Sequence, residues 1–266
     1  MNISRSGNSR TVVVFSCAHA HPEVSNERFT WLGKFLYDLK PDYVVDLGDG
    51  ADMQSLNAYD RNRPANIVLQ NYERDIDAYN DAQERIRHYF KKYKRKRPAF
   101  YGFEGNHETR IKTALANEPR ISGSRYGISF DHLNTDQWFD EYHQYSNSAP
   151  AIASYDGVSY AHFFTAGNSG RAVGGDYHAR RLTQLLHGSA TCGHSHLLNF
   201  HPTFTGSGRA AMGLVAGCFK GAEEAWAGQS NHNWWKGLTI KRYLEDGRYD
   251  PQFVSLEAIK REYGGG

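Results

Sequence analysis

Two buried-strand patterns separated by one amphipathic helix pattern constrain the fold of this chain more than any other feature. Residues 11–16 read TVVVFS and residues 42–47 read DYVVDL, and such apolar, β-branched runs are typical of strands in a largely parallel sheet. Between them, apolar residues recur at steps of three and four from Phe29 to Leu39. Pro22 predicts the first turn of that helix and Pro41 its end. The result is a β-α-β unit, which indicates an α/β fold.

Further strand and helix patterns follow along the rest of the chain. No internal repeat or linker-like stretch divides them, so we expect a single domain over residues 1–266, with flexible ends at 1–10 and 262–266. The later predicted elements are a helix from about 65 to 96, a strand at 98–103, a helix at 109–117, a helix within 130–142, a hairpin across Asp156-Gly157, a helix at 177–187, a strand at 189–192, and two antiparallel pairs, 202–204 with 210–218 and 238–244 with 253–256.

Composition places the chain among soluble globular proteins. Of its 266 residues 39% are hydrophobic and 23% charged, and the net charge of +2 makes no case by itself for a polyanionic partner. No apolar run approaches the length that spans a membrane, and the polar N-terminus lacks the apolar region of a secretory signal. Three widely spaced cysteines fit a reducing compartment better than a disulfide framework. We therefore expect a cytoplasmic protein without a membrane partner.

Short polar motifs follow five of the predicted strands. The carboxyl ends of strands in an α/β sheet are where ligands usually bind. The motifs combine imidazole, carboxylate, carboxamide and thiolate groups, which are ligands of divalent transition metals. In chain order they are Cys17-Ala18-His19, Gly48-Asp49-Gly50-Ala51-Asp52, Gly105-Asn106-His107-Glu108, the single His162, and Gly193-His194-Ser195-His196.

This ordered series resembles the calcineurin-like metallophosphoesterase family, and the phage and bacterial phosphodiesterase-like members in particular. The resemblance covers residues 17 to 196 and implies a four-layer α/β/β/α sandwich, with two mixed β-sheets flanked by helices. It also implies two divalent metal ions, zinc, iron or manganese, bridged by Asp49. By matched position, one ion would be held by Cys17, His19, Asp49 and His196, and the other by Asp49, Asn106, His162 and His194.

The resemblance also assigns two residues to catalysis. His107 would protonate the leaving oxygen, and Asp52 would orient and charge-stabilise that imidazole. The chain departs from the family at Cys17, where an aspartate is usual. A thiolate there would favour zinc or iron over manganese; alternatively Cys17 does not ligate, and one metal is weakly held.

The resemblance implies a phosphoester substrate, and a phosphodiester in a nucleic acid or nucleotide is the expected one. The family's serine/threonine phosphatases carry Arg-Gly after the second motif, whereas this chain has Met53-Gln54 there, which disfavours that branch. Two alternatives stay open: a phosphomonoesterase with the same site, and a non-catalytic module that binds metal or nucleic acid. Retention of His107 and Asp52 argues against the second alternative.

Two sets of residues outside the motifs bear on the substrate. The basic run at 91–97, KKYKRKR, is either a solvated helix end that complements the helix dipole or a contact patch for a phosphate backbone. Trp226, Trp234 and Trp235 offer either base-stacking faces or core packing.

Overall fold

A computed structural model describes residues 9–58, 71–146, 149–167 and 170–265 of the chain. Eleven strands are assigned in these ranges and form two mixed sheets. They are β1 (Arg10–Phe15), β2 (Tyr43–Asp46), β3 (Ala99–Phe103), β4 (Glu141–His143), β5 (Ala153–Tyr155), β6 (Val158–Tyr160), β7 (Ser189–Cys192), β8 (Leu198–Phe204), β9 (Ala210–Ala216), β10 (Gly237–Glu245) and β11 (Arg248–Ser255).

The first sheet has the order β11-β10-β1-β2-β3-β4, and the second β5-β6-β7-β9-β8. In the first sheet β1, β2, β3 and β4 are parallel, while β10 and β11 run antiparallel to their neighbours. In the second sheet β6, β7 and β9 are parallel and are flanked by two antiparallel edge strands. Both sheets are therefore mixed, as the sequence predicted.

Helices cover the outer face of each sheet. Within the described ranges they are α1 (Glu27–Leu39), α2 (Tyr72–Lys92), α3 (Thr109–Asn117), the one-turn α4 (Thr135–Trp138), α5 (His178–Leu186) and α6 (Leu256–Tyr263). None of the helices in the described part of the chain is both long and apolar enough to cross a membrane.

Alternation along β1 explains the layered architecture. Val13 and Phe15 pack into a core shared with α1 and α2, whereas Val12 and Val14 face the second sheet and pack with residues such as Tyr160. Side chains on successive strand residues point to opposite faces, so a strand with both faces buried reads as a continuous apolar run. A third core lies between the second sheet and α5. The layers are thus helix, sheet, sheet and helix, the four-layer α/β/β/α sandwich.

The structure confirms most predicted elements, corrects five predictions and adds two elements. Pro22 does not start α1, because it lies in a turn closed by Val24 N–H donating to His21 O at 3.0 Å. Two elements were not predicted, the short edge strand β4 and the C-terminal helix α6. Helix α6 also contradicts a flexible end from residue 262, since Tyr263 packs on Phe35.

The remaining differences concern element ends. Arg10 belongs to β1 rather than to a flexible N-terminus, and the predicted helix at 130–142 is replaced by two short helical turns followed by β4. Helix α2 begins at Tyr72 and ends at Lys92, four residues before the predicted end. The predicted start of that helix, at 65–70, lies outside the described residues, as do residues 1–8 and 266.

Candidate metal centre

Close approach of two loops brings the second and third motifs together. Gly48 has a left-handed backbone (φ 91°), and a Cβ on Gly105 would overlap the carboxylate of Asp49. The buried carboxylate of Glu108 accepts hydrogen bonds from the backbone N–H groups of Asp49 (3.1 Å), Ala51 (2.8 Å) and Gly105 (2.9 Å). These contacts fix the loop after β2 against the loop after β3.

Five candidate ligands have a left-handed backbone, which non-glycine residues seldom adopt. They are Cys17 (φ 49°), His19 (46°), Asp49 (54°), His194 (67°) and His196 (62°). The left-handed region costs an L-residue roughly 1–2 kcal/mol, and such strain concentrates at functional sites. The chain therefore turns sharply at the ligand positions in the loops after β1, β2 and β7.

Four donor atoms converge in what we call the Asn106 cluster, formed by Asp49, Asn106, His162 and His194. Asn106 Oδ1 lies 3.0 Å from His162 Nε2 and 2.8 Å from His194 Nδ1. The two imidazole nitrogens are 3.2 Å apart, and Asp49 Oδ2 is 3.2 Å from His162 Nε2. Donors in a tetrahedron around zinc, at about 2.0 Å from the ion, lie about 3.3 Å from one another. The separations among Asn106, His162 and His194 fit one divalent ion, and the Asp49 carboxylate lies beside His162.

The imidazole of His162 is oriented for ligation by its other nitrogen. The Nδ1–H group donates a 2.7 Å hydrogen bond to the carbonyl of Leu47, and the side chain is fully buried. This bond fixes the tautomer that leaves a lone pair on Nε2, the arrangement that metal-ligating histidines usually show.

Three further residues and the same Asp49 form the Cys17 cluster, in which Cys17, His19 and His196 each offer one donor atom. Their donor atoms lie within 4.8 Å of one another. His19 Nε2 is 3.8 Å from Asp49 Oδ2 and is buried without a hydrogen-bond partner among the described residues. Because burying an unpartnered polar nitrogen is costly, a lone pair aimed into a ring of thiol, imidazole and carboxylate groups fits a metal ligand.

An array of Asp52, His107 and Arg110 lies against the Cys17 cluster. The Asp52 carboxylate is 2.9 Å from His107 Nδ1 and 3.2 Å from His19 Nδ1, so it orients both rings. His107 Nδ1 also lies 2.6 Å from the Asp52 carbonyl, and Arg110 Nη2 lies 3.3 Å from His107 Nε2. Both nitrogens of His107 therefore have partners other than a metal, although His107 falls within reach of His19 and Asp49.

Burial sets the protonation of three of the four candidate histidine ligands, whereas for His162 burial is outweighed by the Asp49 carboxylate, which raises the pKa. Burial lowers the pKa of His19 to about 3, of His194 to about 4 and of His196 to about 2, so these rings are neutral at neutral pH. Neutral imidazole is the form that binds a metal. Burial raises the pKa of the Cys17 thiol well above its usual range, and the Asp49 carboxylate adds to that shift, so Cys17 must release a proton when it ligates.

The two aspartates remain ionised. Burial alone would raise the pKa of Asp49, but the neighbouring His162 and His107 hold it well below its usual range. Burial would also raise the pKa of Asp52, and hydrogen bonds from His107 and His19 outweigh it. The centre thus offers one full negative charge at Asp49, between the two clusters, and one at Asp52, beside His107.

The surroundings of the two clusters differ. A cavity of about 140 Å³ adjoins the Cys17 side and is lined by His19 and Asp52, together with Lys220 and Gln54. The half-buried ring of Trp234 stands edge-on to His196, with centroids 4.5 Å apart. On the other side Phe163 covers His194 at 4.9 Å.

The structure brings together all nine residues that the sequence singled out: Cys17, His19, Asp49, Asp52, Asn106, His107, His162, His194 and His196. Sequence reasoning missed Glu108 as the residue that joins the loops, and it missed Arg110. Glu108 is the last residue of the motif that begins at Gly105, and Arg110 follows it by two residues, so their position in the chain was the available signal.

The tryptophans have separate environments. Trp235 packs on Gly217 and Gly237, where an added Cβ would overlap its ring or backbone, so it serves packing. Trp234 adjoins the metal centre, and Lys220 Nζ lies 5.5 Å from its ring centroid. The side chain of Trp226 lies outside the described part of the chain.

Comparison with known proteins gives little beyond this geometry. No protein-family model matches the sequence, and no curated protein matches it either. Among solved structures, the chain is similar to wild-type Vps29 from Entamoeba histolytica, whose crystal structure is of a complex with Zn²⁺. The match has 12% sequence identity and a TM-score of 0.34, and it covers 92% of this chain and 99% of the other. At this TM-score the likeness decides neither family nor function.

Proposed function

We propose that this chain is a metal-dependent phosphoesterase that binds two divalent ions and hydrolyses phosphodiester bonds of nucleic acids or nucleotides. One observation carries the proposal: two donor clusters share Asp49, and a His107–Asp52 pair stands against one of them. Both imidazole nitrogens of His107 face other protein groups, so this side chain is not needed to hold a metal. The His107 position therefore favours catalysis over a module that only binds metal.

The donor set supports two sites for divalent ions. The Asn106 cluster would hold one and the Cys17 cluster the other, with Asp49 common to both. Two such ions supply Lewis-acid activation of water and charge stabilisation for in-line displacement at phosphorus. Thiolate and imidazole donors favour zinc or iron in the Cys17 cluster.

The residues beside the Cys17 cluster would handle the leaving group. His107 would donate a proton from Nε2 to the leaving oxygen, while Asp52 holds the ring through Nδ1. Because a guanidinium can only donate, a protonated Nε2 requires Arg110, which lies 3.3 Å from it, to turn toward the substrate. Arg110 is held by the backbone carbonyls of Asp52 (2.9 Å) and Met53 (3.3 Å). Because those partners are neutral, the guanidinium keeps its charge for a phosphoryl oxygen that reaches His107.

The preference for a diester rests on the sequence motifs, and one comparison of substrates tests it. Purified protein is first assayed for metal content, and metals are then added back while turnover of bis-p-nitrophenyl phosphate and of p-nitrophenyl phosphate is measured. Two metals per chain with faster diester turnover supports the proposal. Faster monoester turnover would replace it with the phosphomonoesterase, and metal binding without turnover of either would favour a binding module.

Replacement of His107 tests the catalytic assignment directly. We expect His107→Ala to retain two metals and to lose on the order of 10²-fold or more in turnover, the usual scale for loss of a general acid. The exposed His187, which follows α5, provides the matched control, and His187→Asn should keep both metals and full turnover because asparagine suits its left-handed backbone (φ 51°). Unchanged turnover in His107→Ala would refute the assigned role.

A further inference from the structure

A pocket with several cationic side chains lies at the opposite end of the first sheet from the candidate metal centre. A pocket of about 350 Å³ is lined by four cationic side chains, Arg87, Lys91, Arg95 and Arg97, by the imidazole of His88 and by one carboxylate, the exposed Glu84. The pocket adjoins the residues that precede β3, whereas the metal centre follows the end of that strand. The five residues of β3 separate the two by about 17 Å.

The charge at the floor of this pocket is not neutralised by a contact ion pair. Arg87 is buried, and its hydrogen bonds go to neutral acceptors, the carbonyl of Trp138 and the backbone and side-chain oxygens of Gln83. In the part of the chain that the structure describes, no carboxylate lies within ion-pair distance of Arg87. Burial, with a smaller contribution from the like charge of Arg97, lowers the pKa of Arg87 to about 9, while the more distant carboxylates of Asp46 and Asp140 act in the opposite direction. The ring of Phe100 lies 4.2 Å from the guanidinium, and a bound anion would add the contact counter-charge that these neutral partners do not supply.

Two guanidinium groups at the wall are held in place before any ligand arrives. Arg95 donates a 3.0 Å hydrogen bond to the carbonyl of Tyr37 and lies 4.7 Å above that ring. Arg97 forms a two-point contact with Asp140, at 2.5 and 3.2 Å. Asp140 pairs with the charge of Arg97, so of these two Arg95 is the fixed guanidinium without a carboxylate partner among the described residues, and a fixed group loses little freedom when it binds phosphate.

We propose that this pocket, independent of the metal centre, is a binding site for phosphate groups. Its volume lies in the range of small-ligand sites and accommodates a di- or triphosphate, or successive phosphates of a nucleic-acid strand. The cationic residues of the basic run at 91–97 therefore form two groups, those that line the pocket and those that do not. Lys91, Arg95 and Arg97 line the pocket, while the exposed Lys92, Lys94 and Lys96 do not.

Lys91 and Lys92 offer a matched pair of variants to test the proposal. Both are exposed residues in the last turn of α2, so Lys91→Glu and Lys92→Glu change the net charge and the helix dipole equally. Binding of inorganic pyrophosphate to the metal-loaded protein is measured by calorimetry, and binding of a labelled twenty-nucleotide oligothymidylate by anisotropy at several salt concentrations. We expect Lys91→Glu to weaken binding of at least one probe by about tenfold or more, and Lys92→Glu to change it by less than about twofold.

The outcomes show which molecule supplies the phosphate, or that the proposal is wrong. A selective loss of pyrophosphate binding assigns the pocket to a free polyphosphate or nucleotide, and a selective loss confined to the oligonucleotide assigns it to a nucleic-acid strand. Equal effects of the two variants, or no binding of either probe, would overturn the proposal. Turnover of bis-p-nitrophenyl phosphate should stay unchanged in both variants, which separates this result from the fate of the metal centre.

Discussion

The two halves of the metal centre share Asp49 but are built differently. In the Asn106 cluster the measured donor separations are 2.8–3.2 Å, and His162 is fully buried with its second nitrogen on a backbone carbonyl. In the Cys17 cluster His19 Nε2 lies 3.8 Å from Asp49 Oδ2, the donor atoms of Cys17, His19 and His196 lie within 4.8 Å of one another, and a cavity adjoins His19. The compact half is ready to hold an ion tightly. The wider half has room for further ligands beside its protein donors.

This difference indicates that the two clusters have different roles within one candidate centre. Asp52, His107 and Arg110 all lie against the Cys17 cluster, through His19 and its partner Asp52. On the other side Phe163 packs against His194, which like Asn106 stays partly exposed. We therefore expect substrate to approach from the Cys17 side, while the Asn106 cluster anchors the bridging carboxylate.

Removing the shared carboxylate should abolish both halves at once. In Asp49→Ala we expect metal content to fall from two ions per chain toward zero and turnover to fall on the order of 10³-fold or more, as when a catalytic unit is broken. Metal analysis and diester turnover check this. Asp136→Ala, at an exposed aspartate on α4, is the control and should be unaffected. Two retained ions in Asp49→Ala would show that Asp49 does not join the clusters.

Single-ligand variants should break the halves separately. Asn106→Ala and Cys17→Ala are each expected to leave one ion and to lower turnover by about 10²-fold, comparable to the loss of one strong electrostatic contribution to catalysis. Cobalt substitution distinguishes them, because a thiolate-to-cobalt charge-transfer band requires Cys17. The band should persist in Asn106→Ala and vanish in Cys17→Ala. If wild-type protein lacks the band, Cys17 is not a ligand.

Replacement of Arg110 tests the Cys17 side of the centre without changing a candidate metal ligand. We expect Arg110→Gln to raise the KM for the diester by about tenfold, because a charge-assisted contact to the phosphoryl group is lost. Metal content should be unchanged, and Arg110→Lys should recover part of the loss. An equal loss in metal content would instead mean that Arg110 supports the loops.

The smallest expected effect is a change of metal preference in Cys17→Asp. A carboxylate is a harder ligand than a thiolate, so the Cys17 cluster should shift from zinc toward manganese while the Asn106 cluster keeps its preference. Turnover with the preferred metal should stay within about tenfold of wild type, on the usual scale for retuning a metal site. Competition between zinc and manganese, followed by metal analysis, measures the shift.

Most of the fold was predictable because its signals are local. Continuous apolar runs identified the buried strands, and Asp156-Gly157 marked the hairpin β5–β6 at the observed position. Pro22 misled because proline also suits the second position of a turn. The helix begins instead after Ser25 and Asn26, and the Ser25 hydroxyl accepts the N–H of Glu27. Strand β4 has only three residues, too few to show a period.

The convergence of the candidate ligands was predictable for a similar reason, since each motif directly follows its strand. What the sequence could not supply was the pairing of side chains across loops. Glu108 collects N–H groups from a loop that lies more than fifty residues earlier, and Arg110 reaches the carbonyl of Asp52. The cationic pocket likewise depends on Arg87 lying next to Arg97, which only the end of α2 and the start of β3 bring together.

The left-handed backbone at five candidate ligand positions also limits which substitutions this centre can accept in evolution. Asparagine, aspartate and histidine tolerate that conformation better than most residues, and β-branched residues tolerate it least. Replacement of Cys17 by aspartate or asparagine would keep the path of the chain, whereas valine or threonine would strain it. Related sequences can therefore exchange one metal for another by changing a side chain alone, and the loop after β1 can be inherited intact.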